Sequence, residues 1–348
     1  MTGRLLAPSL ALLLCAAPAA LAQTPETVAG DTPVAPKVLV ITMFAGEAAP
    51  WRENNTFTRT IPVPGLSKEF PNVECTAEDL CHMTTTMGFA NAASSVAAVA
   101  LSPVLDLSQT YVLIAGIAGV DPNDGTLGSA HWARYAVDGG LRHEIDPRQM
   151  PEGWSSGYLA LGATEPGVKG EWSAGSEVYR LNEDLLLAAF ELSRDTELSD
   201  SEDAAAYRAA YVEEAGKATP TVTICDTLSS DTYWHGTRIA EAMEAHVTLM
   251  TDGEGDYCTT QMEDNATLTA LRRAADAGRL DFERVALLRT SSNFDREAAG
   301  QTAAQSLGAK SGGFPLATEN AYRVGSRLTD AIVGNWDEWK DGAPVSTP

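Results

Sequence analysis

Four short stretches of this chain are close to continuously apolar: Lys37 to Thr42, Tyr111 to Ala115, Thr221 to Cys225 and Val285 to Leu288. Each has the length of a strand, and continuity rather than alternation means burial on both faces, as in a largely parallel sheet covered by helices. Between them the period is helical. Ala92 to Ala100 is Ala-rich, and Asn182 to Ser193 places Leu185, Leu186, Ala189 and Phe190 on one face. Asp200 to Ala215, Glu297 to Leu307 and Glu319 to Trp339 read as further helices, with Gly312-Gly313 breaking the last two apart. A helix also follows Glu263 and leads into the Val285 strand. Trp132 to Ile145 reads as a strand pair or a strand around a turn, and Asn54 to Gly65 as an irregular excursion. Pro147 to Trp172, rich in Pro, Gly and Trp, has no assignable period and is expected to supply loops near a site. Strands alternating with helices predict an α/β fold.

In open α/β sheets ligands bind outside the carboxyl ends of strands, so the polar segments after the apolar runs carry the candidate chemistry. The Val285 strand is followed by Thr290, Ser291, Ser292, Asn293 and Asp295. The Thr221 strand runs into Asp231-Thr-Tyr233-Trp234-His235-Gly236, where two aromatics beside acid and hydroxyl groups suit a flat heterocycle or, alternatively, ordinary packing under a loop. Gly116 and Gly119 follow the Tyr111 strand and allow close approach of backbone or ligand. Gly46 and Glu47 lie in the loop after the first strand. The turn Thr86-Met87-Gly88 with Asn91 opens a helix, either as a plain turn with a cap or as amides presented to an anion. Thr260 to Glu263 has the spacing of a capping box, and Met262 with Glu263 is equally a candidate ligand pair.

Composition narrows the setting. Arg4, the apolar run Leu5 to Ala17 and Ala20-Leu21-Ala22 predict a cleaved signal peptide over residues 1–22, too short to span a bilayer. Residues 23–36 read as an extended leader, 37–340 as the folded domain and 341–348 as a tail. No later stretch is apolar enough for a membrane helix, which predicts an exported, periplasmic product without a span. A formal charge of −23 opposes nucleic-acid polymers and anionic lipid surfaces. Four cysteines remain after processing. Cys75 with Cys81 is a natural local disulfide in an oxidising compartment; Cys225 with Cys258 is a second candidate whose geometry spacing does not fix. The scattered histidines and the lack of a CxxC predict no metal site. Walker A, G-x-S-x-G and dinucleotide fingerprints are missing from the sequence.

Taken in order, Thr86-Met87-Gly88 with Asn91, Gly116 to Gly119, Asp231 to Gly236, Thr260 to Asn265 and Leu288 to Asp295 resemble the purine nucleoside permease family, which is similar in fold to nucleoside phosphorylases and nucleosidases. The resemblance extends from Lys37 to about Trp339 and implies one large domain with a mixed central sheet flanked by helices. It implies a purine nucleoside ligand, with Met262 packed on the ribose, Glu263 accepting from its hydroxyls and Tyr233 or Trp234 stacked on the base. Asn293 takes the place that contacts purine N7. An asparagine cannot protonate N7, although its amide can donate a hydrogen bond to charge developing on the base, and Asp295 is the alternative proton source. Asp231, Gly88, Asn91, Gly116 and Gly119 complete the implied binding set. No cofactor is implied. Phosphate is a candidate co-substrate, with Arg134 and Arg142 as its candidate partners by neighbourhood alone. Three functions follow: nucleoside binding for uptake beside a membrane transporter, with homo-oligomerisation open; phosphorolytic or hydrolytic cleavage of the N-glycosidic bond; or a scaffold whose fold has lost its site.

Overall fold

Three of the four apolar runs become central strands of a twelve-stranded mixed sheet, whereas the Thr221 run gives a short, partly buried strand, Val222–Ile224, with a strand partner on one side only, and a separate strand, Asp226–Ser229, leads to Asp231. In the computed structural model, which describes residues 32–344, the chain begins with β1 (Val38–Thr42), α1 (Ala45–Asn54), β2 (Arg59–Pro62), β3 (Asn72–Cys75), β4 (Leu80–Thr84) and α2 (Phe89–Ala100). It continues through β5 (Tyr111–Val120), β6 (Ala130–Trp132), β7 (Tyr135–Asp138), a two-stranded excursion of β8 (Arg142–Glu144) and β9 (Tyr158–Ala160), and β10 (Val178–Arg180). Next come α3 (Glu183–Ser193), α4 (Glu202–Arg208), α5 (Glu214–Lys217), β11 (Val222–Ile224), β12 (Asp226–Ser229) and α6 (Thr237–Met250). The chain closes with β13 (Tyr257–Gln261), α7 (Asp264–Asp276), β14 (Val285–Phe294), α8 (Ala303–Leu307), α9 (Gly313–Gly334) and α10 (Trp336–Trp339). The expected signal peptide, most of the leader and the end of the tail lie outside the described residues.

β1 lies between β4 and β5, parallel to both, and β14 runs parallel along the other edge of β5. Alternate residues of β1 serve two cores, which is why the run is apolar throughout. Leu39 and Ile41 pack with Val96 and Val99 of α2 and Leu268 and Leu271 of α7. Val38 and Val40 face Val324, Leu328 and Ile332 of α9.

Several elements differ from the sequence reading. The Tyr111 strand continues to Val120 and the Val285 strand to Phe294, so Thr290 to Asn293 are strand rather than loop. Their hydroxyls lie against distant main-chain oxygens: Thr290 Oγ1 donates to Ala317 O (2.8 Å) and Ser292 Oγ is 3.2 Å from Ala118 O. The span Asp200 to Ala215 is two short helices, because the chain leaves the first to seat Tyr211 against Phe294, ring centres 3.9 Å apart, with its hydroxyl donating to Arg296 O. Only Ala303–Leu307 of the predicted Glu297 helix is helical, whereas the final helix starts earlier, at Gly313. The excursion at Asn54 contains the edge strand β2, and Gly46 and Glu47 open α1 rather than lying in a loop.

Both cysteine pairs are disulfides. Cys75 and Cys81 sit opposite one another on β3 and β4, and Cys225, between β11 and β12, joins Cys258 of β13. The second bridge closes the longer loop, with a sequence separation of 33 against 6. Serine replacement of Cys225 and Cys258 is therefore expected to cost about 3–4 kcal/mol and that of Cys75 and Cys81 about 2 kcal/mol in a chain-entropy account. Urea unfolding of the two double variants checks the order. The one group of three metal-type ligands among the described residues, His131, Cys225 and Cys258, has both sulfurs in this bridge.

Candidate functional site

A gap in the sheet creates the site. On one edge of β5, β1 pairs with Tyr111 to Ile114 and β13 with Gly119 and Val120, so Ala115 to Ala118 have no strand beside them. Buried backbone groups left without a ladder partner require other ones. Here two side chains substitute for the missing strand. Glu47, on the first turn of α1, accepts from Ile117 N (2.7 Å) through Oε1 and from Met43 N (2.7 Å) through Oε2. Arg289 Nη1 donates to Ile117 O (2.9 Å). A Cβ at Gly116 would lie 2.6 Å from both the Glu47 and the Arg289 side chains and 2.0 Å from Met43, so any side chain here would push all three from their places. Above the gap opens a cleft of about 620 Å³.

Arg289 is buried and surrounded by carboxylates. Its Nε and Nη2 donate to Asp264 (3.1 and 2.5 Å), and Nη2 lies 3.5 Å from Glu263. Glu263 is the N-cap of α7 and has no side-chain capping bond; Gln261 Oε1 instead accepts from the amides of Glu263 and Asp264 (2.8 and 2.9 Å). The capping-box reading of Thr260 and Glu263 is thus corrected: Thr260 belongs to β13, and the Glu263 carboxylate is turned into the cleft. There its Oε1 accepts from Gly88 N (3.1 Å) and its Oε2 from Met262 N (3.2 Å). Burial raises Glu263 above the usual carboxylate range against the pull of Arg289. Burial likewise lifts Glu47 to about 7, with Arg289 opposing and the Glu263 charge adding. Three acids around one guanidinium cannot all ionise cheaply, and burial pushes each of them up.

The third wall is the end of β14. Its register against β5 shifts between Ser291 and Asn293, a bulge that brings both Ser292 and Asn293 to the cleft. Asn293 is fixed by Ser292 Oγ donating to Oδ1 (2.8 Å) and by its Nδ2 donating to Phe294 O (2.9 Å). Gly119 faces it, and a Cβ there would lie 3.1 Å from the Asn293 amide nitrogen. Tyr233 and Trp234 both line the cleft but differ: Tyr233 is 56% exposed, whereas Trp234 is buried among Leu228, Met243 and Val247. The opposite wall carries the stacked pair Phe44 and Phe314, with centroids 6.0 Å apart, and Met43 and Met87.

Glu263, Met262, Tyr233, Trp234, Asn293 and Gly119 therefore converge on one cavity, and Gly116 lies under its floor. Gly88 contributes its amide to Glu263. Asn91 Nδ2 donates to Met87 O (2.7 Å), pinning the rim. Asp231 does not line the cleft, and its carboxylate accepts from Phe89 N (2.7 Å) at the start of α2. Asp295 is also absent from the lining. It accepts from Tyr257 OH (2.7 Å) and Arg296 Nε (2.7 Å) behind the cleft. Arg134 is paired with Glu183, and Arg142 lies over the Tyr158 ring, neither at the cavity. Residues 147–172 contribute no wall, contrary to expectation. Glu47, Arg289, Phe44 and Phe314 take their roles from the structure; the sequence signals were the place of Glu47 after the first strand and that of Arg289 within the Leu288 to Asp295 motif.

Comparison with known proteins gives the family and the fold. A sequence model of the family described as "Purine nucleoside permease (NUP)" matches residues 35–344. A Schizosaccharomyces pombe protein named "Probable purine nucleoside permease" is 40% identical over 317 residues, covering 87% of this chain and 91% of its own. A Candida albicans purine nucleoside permease is 37% identical over 319 residues, covering 90% and 79%. Among solved structures, the 5′-methylthioadenosine/S-adenosylhomocysteine nucleosidase of Helicobacter pylori aligns with TM-score 0.53 at 14% identity, over 85% of this chain and 98% of that one. Futalosine hydrolase of the same organism aligns at 0.52 and 15%, over 85% and 97%. These two likenesses establish the nucleoside phosphorylase-like fold.

Proposed function

Because the chain belongs to the purine nucleoside permease family, we propose that the cleft binds a purine nucleoside and that the protein, exported to the periplasm, takes part in nucleoside uptake. The observation that carries this reading is the convergence of Glu263, Asn293 and Tyr233 on one cavity. Glu263 accepts hydrogen bonds from the ribose hydroxyls, Met262 packs on the sugar, Tyr233 stacks on the base and the fixed Asn293 amide meets its polar edge. No helix of the described residues is long and apolar enough to cross a membrane, so in this reading a membrane transporter receives the nucleoside. Equilibrium dialysis of the mature protein with inosine, adenosine and uridine tests it. Purine nucleosides are retained and uridine is not; equal retention of all three, or of none, contradicts it.

A second reading, cleavage of the N-glycosidic bond, is favoured by Glu47. A buried carboxyl titrating at about 7 in the cleft has the pKa of a general base for neutral chemistry. In this reading Glu47 takes a proton from an attacking water as the C1′–N bond breaks, and Glu263 steadies the cationic sugar. The base leaves with its negative charge met by the Asn293 amide. Asp295 takes no direct part, since it lies behind the cleft with its carboxylate bonded to Tyr257 and Arg296. Only ionised Glu47 accepts a proton, so base release is expected to fall as pH drops through about 7. Glu47→Gln is expected to lose release while retaining nucleoside. Free-base assays from pH 5 to 9, with and without phosphate, check both. Binding without release at any pH leaves the uptake reading alone.

A further inference from the structure

We propose that Asp231 and Asp264 exclude phosphate from this cleft, so that its ligand is an uncharged nucleoside and any bond cleavage there uses water. This deepens the nucleoside reading above and rests on it.

Two groups beside the cleft have the chemistry to hold a phosphate, and each is already occupied by a carboxylate of the chain. The first is Arg289, whose planar fork suits an oxyanion. Asp264 takes that fork on Nε and Nη2, and Ile117 O takes Nη1. The second is the start of α2, a twelve-residue helix whose free amides and dipole favour an anion. There Asp231 Oδ1 accepts from Phe89 N at 2.7 Å and Glu263 Oε1 from Gly88 N at 3.1 Å. Both sites carry anions of their own, so a phosphate entering beside Glu263, with Asp231 and Asp264 behind the walls, meets repulsion and finds these donors taken. Among the described residues the remaining cation on the wall is Lys310, which is exposed to solvent. His235, also on the wall, is kept neutral at pH 7 by burial, which lowers it against the pull of Glu297. Replacing either aspartate by asparagine removes a charge and weakens the internal claim on its donor.

The test uses inorganic phosphate, against chloride at matched ionic strength, with thermal midpoint and competition against bound nucleoside as readouts. Wild type shows no shift and no competition up to tens of millimolar phosphate. Asp231→Asn, at an exposed position that leaves the fold intact, gains phosphate binding by at least about tenfold, the size of one charge-assisted hydrogen bond. Asp264→Asn gains it through Arg289 and is read where the variant folds. Phosphate that stabilises wild type or displaces nucleoside from it overturns the proposal. So does an Asp231→Asn protein, and any folded Asp264→Asn protein, no more responsive than wild type. The midpoint readout needs no nucleoside, so a failure of nucleoside to bind is seen separately, as failure of the reading beneath.

Discussion

Glu263→Ala is expected to weaken purine nucleoside binding at least about 100-fold, the loss of two hydrogen bonds to a charged acceptor at about 1.5–3 kcal/mol each. The direction follows from placement. The carboxylate is buried, presented to the cleft, and held only by two backbone amides and a 3.5 Å approach from Arg289, leaving acceptor capacity for two sugar hydroxyls. Glu263→Gln keeps the shape and one acceptor and is expected to fall between wild type and alanine. Titration calorimetry with inosine, alongside circular dichroism to confirm the fold, checks the series. Unchanged affinity in the alanine variant contradicts the assignment of the sugar subsite.

Removing Asp264 acts on stability instead. Asp264→Ala leaves the Arg289 guanidinium, 1% exposed, without its bidentate partner, and breaking a buried pair in this way costs about 3–5 kcal/mol. Asp264 itself is raised by burial, against the pull of Arg289, so the pair is held by geometry rather than by a large net attraction. The companion variant Asp264→Leu with Arg289→Met removes both charges and is expected to recover most of the loss, since a buried pair exchanged for apolar groups of similar volume is near neutral. That recovery is partial, because Ile117 O loses the donor that Arg289 provides. Urea unfolding of the single and paired variants measures it. A single-variant loss below about 1 kcal/mol, the range of an exposed pair, contradicts the account of the buried cluster.

How much of this was legible along the chain depended on whether the partners of each residue were near in sequence. Val38 to Thr42 and Tyr111 to Ala115 announce themselves because both faces of these strands meet apolar helices, a property written into consecutive residues. Glu263, Asn293 and Tyr233 stood out through the motifs around them. Thr290 to Asn293 misled because polar residues in a buried strand look like a loop unless their acceptors, on β5 and α9, are known. Glu47 and Arg289 are the extreme case. Their roles arise from a gap between β1 and β13 along β5, a pairing among strands far apart in sequence that no local period encodes. Asp231 reads as a ligand group from its aromatic neighbours, but its donor belongs to a helix more than a hundred residues earlier.

A nucleoside held in the cavity between Glu263 and Asn293 is the central claim, and a crystal structure of the mature protein soaked with inosine tests it most directly. The predicted result is electron density for the sugar with its hydroxyls on the Glu263 carboxylate and the purine ring between Tyr233 and Asn293. Density for inosine elsewhere, or an empty cavity at a concentration that saturates binding in solution, would contradict it.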